Sequence, residues 1–397
     1  MTSILIDGSF LEGGGQILRN AVSLSALLSK PVSIRKIRNN RTPPGLKNQH
    51  RTGICLELAA TIANARLTGA KNGSCEIDFV PGRIGLPNCY HADSVTAGSI
   101  TLLLQVSLPL LLFSPTRVPP STLTLLGGTN ATMAPQADYT KHVFFPFIQR
   151  HFGVEKLSLD IRKRGYFPKG GGEVSVTVIP FSDGQKLRSF SLMEQGKIKW
   201  ITGISHYAGL PAAVGNGMAA GAKRRLAAAG FVEGKTPGDD VSFPAHWKAR
   251  HDTLVSIESR REPNSLTVGA GSGIVLWAEL EHGGMIGGSA VGAKGKEPEN
   301  VGEEAAEELI RGFEEGGCVD EWLQDQIIIL MALAEGTSEV RCGSAGLSLH
   351  TRTAIWLAEQ LTGAKFEITH ESDGTVVVRC DGIGYTATSI SHLENAS

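Results

Sequence analysis

EGGGQILRNAVSLSALL, residues 12–28, has a counterpart in TAGSITLLLQVSLPLL, residues 96–111. Sliding the chain by 84 positions places Gly14 on Gly98, Leu18 on Leu102, Val22-Ser23-Leu24 on Val106-Ser107-Leu108 and Leu27 on Leu111. Both stretches are turns of small residues entering an apolar helix, and a match at a fixed offset marks a repeated structural unit.

Working outward, each of these helices is followed by a β-rich run and a second helical pattern. The first unit has VSIRKIR (32–38) and then GLKNQHRTGICLELAATIA (45–63); the second has STLTLLG (121–127) and then ADYTKHVFFPFIQRHF (137–152). Near the C-terminus the order returns. VGEEAAEELIRGFEE and EWLQDQIIILMALAEG read as helices, SEVRC as a strand, TRTAIWLAEQLTGA as the last helix, and FEITHE and TVVVRC as the closing strands. Between units two and three lies a segment with its own strands (KIKWITGISHYAG, DTLVSIESR, GIVLWAEL) and an alanine-rich helix (GNGMAAGAKRRLAAAG). The expected fold class is therefore α+β, with repeated units whose sheets pack helices on one side. Units one and two occupy 1–181, a smaller inserted α/β domain 182–281, and the third unit 282–397. The Gly-rich runs GAGSG (269–273) and GGMIGGSAVGAKGK (283–296) suit flexible borders or a close backbone approach to a ligand.

Composition narrows the function. Of 397 residues, 41% are hydrophobic and 19% charged, and 38 Lys and Arg against 39 Asp and Glu leave a formal charge of −1. A long nucleic-acid tract is not the partner such a balance predicts, whereas a small phosphorylated ligand or a single chain end is compatible with it. Six cysteines occur without a CxxC pair and no secretory signal precedes them, so reduced thiols and an intracellular location are expected. The most hydrophobic run, Ile100 to Phe113, is shorter than the ~20 residues that span a bilayer and contains Gln105, Ser107 and Pro109. It is read as a core helix, with no membrane partner.

Four polar clusters carry candidate chemistry. Glu12 to Arg19 is a Gly-rich strand-to-helix turn, which exposes amides to an anion, while Glu12 offers a carboxylate to a divalent metal; a solvated helix entry has the same pattern. It is no Walker loop. The sole GK[ST], Gly234-Lys235-Thr236, has Ala229 where that motif needs glycine, and the KxDG lysine of many nucleotidyl-transferring ligases is missing. Arg35, Lys36, Arg38, Arg41, Lys47 and Arg51 form a basic run with Gln49 and His50 and no acid, suggesting a phosphate groove or a solvated strand and loop. Gln105 interrupts an apolar helix and needs hydrogen-bond partners, from backbone or from a ligand. Finally, Trp322, Asp325 and Gln326 join His350, which precedes the last amphipathic helix. There the helix dipole favours a neutral imidazole, able to attack phosphorus, although the position alone describes a capping or surface histidine just as well.

The strings DGSFLEGGGQILR, PGLKNQHRTG, TAGSITLLLQVSLP, GGTNATMAPQADY, RGYFPKGGGEV, VDEWLQDQ and LHTRTAIWLAEQ resemble the RNA 3′-terminal phosphate cyclase family, in its catalytically active branch, over nearly the whole chain. The resemblance implies three tandem repeats of a four-stranded sheet with two helices plus an inserted domain. It implies ATP and a divalent metal (Mg or Mn) as cofactors, with an RNA 3′ end carrying a terminal phosphate as partner. By the same resemblance His350 accepts the adenylate and Glu12 binds the metal. Gln105, Pro135, Trp322, Asp325 and Gln326 form the ATP pocket, and Arg19, Arg38, Arg41, Gln49 and His50 line the approach of the RNA phosphate. A histidine-bound AMP would pass to the 3′-phosphate, and the vicinal 2′-OH would then close a 2′,3′-cyclic phosphate.

Two departures stand out. Asn39-Asn40 occupies the place of a usual Ala-Gly, which bears on the RNA path, and Trp322 replaces a usual tyrosine while keeping a face for stacking on adenine. Eukaryotic members tend to be nuclear, others cytoplasmic. Rival readings are a non-adenylating cyclase-like ribosomal RNA processing protein, which generally lacks the histidine, an enolpyruvyl-transferase-like enzyme, and a pure RNA-binding module, which needs neither Glu12 nor His350.

Overall fold

A computed structural model describes residues 2–46, 52–231 and 254–387. Within them the chain begins β1 (Ile4–Asp7), α1 (Gly15–Leu28), β2 (Val32–Arg35), α2 (Thr52–Ile62), β3 (Arg66–Thr68), β4 (Ile77–Val80). It continues with β5 (Cys89–Asp93), α3 (Ile100–Leu111), β6 (Ser121–Gly127), then α4 (Ala137–Tyr139), running through a π-turn into α5 (Phe145–Phe152), and β7 (Leu157–Lys163) and β8 (Gly172–Val178). The short β9 (Ser191–Leu192) precedes β10 (Ile198–Ala208), α6 (Ala212–Ala228), β11 (Leu254–Arg261), β12 (Gly271–Leu280), β13 (Met285–Val291) and α7 (Pro298–Glu314). Last come α8 (Glu321–Leu333), β14 (Glu335–Cys342), α9 (Leu349–Thr362), β15 (Lys365–His370) and β16 (Val376–Ile383).

Among the described residues the class is mixed α+β, with four four-stranded sheets. Alternation along the strands explains why the sheets have one covered face: β6 and β8 each bury every second residue, as half-buried strands must. Three sheets share one connectivity, β1-β2-β4-β3, β5-β6-β8-β7 and β9-β14-β16-β15 in spatial order. In each, the first pair is parallel and the next two are antiparallel. Helices fill the gap between the sheets, with α1 packed against α2, α3 and α9 and α8 packed against α9. The hydrophobic run is buried as α3, with Leu103, Leu104, Leu108, Leu110 and Leu111 in the main core. Among the described residues no helix is long and apolar enough to cross a membrane.

The fourth sheet, β11-β10-β12-β13, has a core of its own. Position 281, expected as the end of the inserted domain, lies in the turn between β12 and β13, which are paired antiparallel. The helix expected to open the third unit, α7, packs on α6 and β13 of this same sheet. Glycine makes the α6–α7 contact possible: a Cβ on Gly302 would sit 1.9 Å from the Met218 carbonyl oxygen, and one on Gly221 2.0 Å from that of Glu299. The expected start, Ser182, lies before β9, which belongs to the sheet of β14.

Candidate functional site

Three glycines shape the first element of the site. Gly13 takes φ +60°, a conformation favouring glycine, and turns the chain from β1 into α1. The Glu12 carboxylate then folds against the bare Gly14, where a Cβ would lie 2.0 Å from Oε1, and the Arg19 guanidinium lies on Gly15, where a Cβ would lie 2.6 Å from Nη1. The turn is tied to α9, since the Glu12 amide donates to Thr353 Oγ1 at 3.3 Å and Phe10 packs on Trp356 with ring centroids 4.6 Å apart.

That anchoring sets Glu12 beside the start of α9. Ser348 caps the helix, accepting from the Thr351 amide at 3.1 Å. His350 follows in the first turn, exposed at the edge of a cavity. Partial burial lowers its pKa below the ordinary imidazole value; Glu12 opposes the shift, while Arg19 and Arg41 reinforce it. The ring is therefore neutral at pH 7, with a lone pair available.

The cavity, about 240 Å³, lies among the N-terminal parts of α1, α3 and α8, the start of α9 and the loop before α4. Arg19 is 8% exposed and bridges two helices, donating from Nε to Gln105 Oε1 at 2.7 Å and from Nη2 to Gln16 Oε1 at 2.8 Å. Gln105, the polar interruption of α3, thus has its partner on α1. On α8, Asp320 caps the helix by accepting from the Trp322 and Leu323 amides, each at 2.9 Å. Trp322, Asp325 and Gln326, spaced three and four apart, then share the face turned to the cavity. Burial pushes the Asp325 carboxyl up to about 7 against the opposing charge of Arg19.

The cavity wall includes His350, Gln105, Pro135, Trp322, Asp325, Gln326 and Arg19. Glu12, Arg38 and Arg41 are outside it. Arg41 Nη2 is 3.7 Å from Glu12 Oε1, and both Glu12 Oε2 and Arg38 Nε are buried without a hydrogen-bond partner. The basic run divides here. Arg35 and Lys36 are held by Asp78 at 2.7 Å and by Asp7 at 2.9 Å on the first sheet. Gln49 and His50, with Lys47 and Arg51, lie outside the described residues.

Gln16, Thr101, Met133 and Ser348 also line the cavity and were missed by sequence reasoning. Gln16 lies one turn before Arg19, and Ser348 carries the N-cap pattern, so both had a local signal. Met133, 92% exposed with φ +64°, had none. Among the described residues there is no cluster of three His, Cys, Asp or Glu that would hold a metal.

A second polar network supports the loop before α4. Asn130 Nδ2 donates to Gln136 Oε1 at 2.5 Å and lies 3.1 Å from His206 Nε2, on β10 of the fourth sheet. Arg164 pairs with both oxygens of Asp138, and its Nε donates to Glu262 at 2.8 Å. Burial alone would raise Asp138, but Arg164 holds it far below the carboxylate range, and burial pushes His206 down to about 3.

The model of the RNA 3′-terminal phosphate cyclase family matches residues 10–368. The chain is 38% identical to the Probable RNA 3′-terminal phosphate cyclase of Dictyostelium discoideum, over 98% of this chain and 84% of that one. It is 38% identical to the RNA 3′-terminal phosphate cyclase of Drosophila melanogaster over 96% of each chain. It is 36% identical to that of Pyrobaculum neutrophilum over 96% of this chain and 99% of the relative. On these matches the chain belongs to the RNA 3′-terminal phosphate cyclase family.

Proposed function

We propose that the protein converts an RNA 3′-terminal phosphate to a 2′,3′-cyclic phosphate at the expense of ATP, through AMP carried on His350. The observation behind this reading is a histidine of lowered pKa at the edge of a cavity whose wall also contains an indole and a buried arginine. The family membership supplies the reaction class, and the relatives are named for it.

In this reading the imidazole lone pair of His350 attacks the α-phosphorus of ATP, a P–N bond forms and pyrophosphate leaves. An oxygen of the RNA 3′-phosphate then attacks the same phosphorus, releasing His350 and giving a mixed anhydride. The adjacent 2′-OH attacks the 3′-phosphorus and expels AMP, an intramolecular step in which positioning suffices. Trp322 gives adenine a stacking face, and Arg19 and Arg41 bring positive charge to the phosphates. Glu12 fits a metal brought in with the nucleotide, because Oε2 is unpartnered and a magnesium ion commonly takes one or two carboxylates together with substrate phosphates. Such an ion would supply charge neutralisation at the departing pyrophosphate. Arg19, Arg38 and Arg41, with Gln49 and His50, are assigned to the RNA phosphate.

We also read the three sheets of common connectivity as three tandem copies of one unit, each with two principal helices. The inserted domain would then run from β10 to α7, about 198–314, entering the third unit between β9 and α8.

The test is incubation with α-labelled ATP and Mg or Mn. Protein-bound label that is lost in acid, survives alkali and is absent from His350→Ala supports the reading; no label on the wild-type protein under varied metal conditions sinks it.

A further inference from the structure

Helix α7 carries a series of acids, most of them on the surface. Glu303 and Glu307 pair with Arg224 and Arg225 of α6, each at 2.6 Å, and Glu304 pairs with Lys296. Glu308 is different. It is half-buried, and its Oε2 accepts from the Ser289 amide of β13 at 2.6 Å. Its Oε1 accepts from the indole Nε1 of Trp322 at 2.7 Å. The nearest arginine on its own helix, Arg311, is directed to Glu315 and Glu321 instead. Among the described residues, the only indole in the cavity wall is therefore held by a carboxylate from a different unit of the fold.

We infer that Glu308 is a positioning residue for the nucleotide pocket: it fixes the ring of Trp322, and through it the inserted unit sets one wall of the site. This rests on the reading of Trp322 as the face on which adenine stacks. The physical need is specific to an indole. The χ2 torsion of tryptophan is broad, so a half-exposed ring samples several orientations unless its N–H is held. A charge-assisted hydrogen bond from the indole N–H to a carboxylate, which is itself anchored to a strand amide, removes that freedom before nucleotide arrives, and preorganisation of this kind raises affinity without adding a contact to the ligand. A second link acts in the same direction. Asp320 Oδ2 accepts from the Gly287 amide of β13 at 2.7 Å while the same side chain caps α8, so β13 holds the helix as well as the ring.

The experiment is a double-mutant cycle on ATP affinity, read by equilibrium binding, with Glu308→Leu, Glu308→Gln, Trp322→Phe and the combinations. Emission of Trp322 in the nucleotide-free protein, taken as the difference from Trp322→Phe, reports the contact itself. Glu308→Leu is expected to weaken ATP binding about tenfold in the wild-type background and to change it little in Trp322→Phe, whose ring has no N–H to lose. Glu308→Gln, which keeps one acceptor oxygen, should recover most of the affinity. A general folding defect would lower affinity and thermal stability alike in both backgrounds, and that outcome overturns the inference. ATP binding by the wild type that ignores Glu308 overturns it alone. A wild-type protein that binds no ATP overturns the nucleotide reading, and the inference with it.

Discussion

The network around Arg164 and the cavity around Arg19 are made of the same materials. Each has a nearly buried arginine, carboxylates, a histidine of lowered pKa and side-chain carboxamides. They differ in what is left over. Around Arg164 the guanidinium is matched by Asp138 and Glu262, His206 has Tyr166 at 2.8 Å on one nitrogen and Asn130 on the other, and the Asn130 and Gln136 amides are engaged. Beside the cavity around Arg19, Glu12 Oε2 is buried and unpartnered. A satisfied buried network joins parts of a fold, here the second sheet to the fourth. Unmet polar atoms beside a cavity indicate a ligand that completes them.

The largest effect that would break this contrast is on activity. His350→Ala should reduce cyclisation of a 3′-phosphorylated oligoribonucleotide to background while leaving the thermal midpoint unchanged, because the side chain is exposed. Retained turnover would move the chemistry away from the cavity. Next, Arg164→Ala should cost roughly 3–5 kcal/mol in denaturant unfolding, since it leaves Asp138 charged and buried without its cation. A loss below about 1 kcal/mol would mean the network is not the structural member of the pair. Glu12→Gln should slow self-labelling about tenfold or more with stability unchanged or higher, because it removes a charge whose buried oxygen has no partner.

The pH dependence of Asp325 sharpens the same point. Its folded pKa, about 7, lies above the ordinary carboxylate value, so the folded state holds the proton more tightly than the unfolded one. The contribution to stability is full below about pH 4 and is lost as pH rises through about 7. Asp325→Asn should therefore gain stability relative to wild type as pH rises across that window, measured by thermal unfolding; a gap that stays constant would contradict the shift. The smallest effect is expected at Ser348→Ala, where loss of the α9 cap should cost about 1 kcal/mol.

Much of this was legible from local pattern. The offset that matched residues 12–28 to 96–111 falls on α1 and α3, each of which follows the first strand of a sheet of the same connectivity. Arg19 and Gln105, which lie on those two helices, proved to be hydrogen-bonded to each other. The Gly-rich run after 281, read as a border of the inserted segment, shows that glycine has two uses. Gly283, at φ +88°, makes the tight β12–β13 turn, yet in sequence a glycine of this kind also looks like a linker. The basic run was legible only as two alternatives, since nothing local distinguishes Arg35 and Lys36, paired within the first sheet, from Arg41 beside Glu12. The contact between Glu308 and Trp322 joins two helices of different sheets, and only the folded chain brings them together.

The central claim is that His350 carries the nucleotide. Its most direct measurement is peptide mapping by mass spectrometry after incubation with ATP and metal, omitting RNA and keeping the digest at neutral or alkaline pH so that a P–N bond survives. The account predicts AMP on the peptide bearing His350 and its disappearance when 3′-phosphorylated RNA is added. AMP on any other residue, or on His350 but unaffected by that RNA, would contradict it.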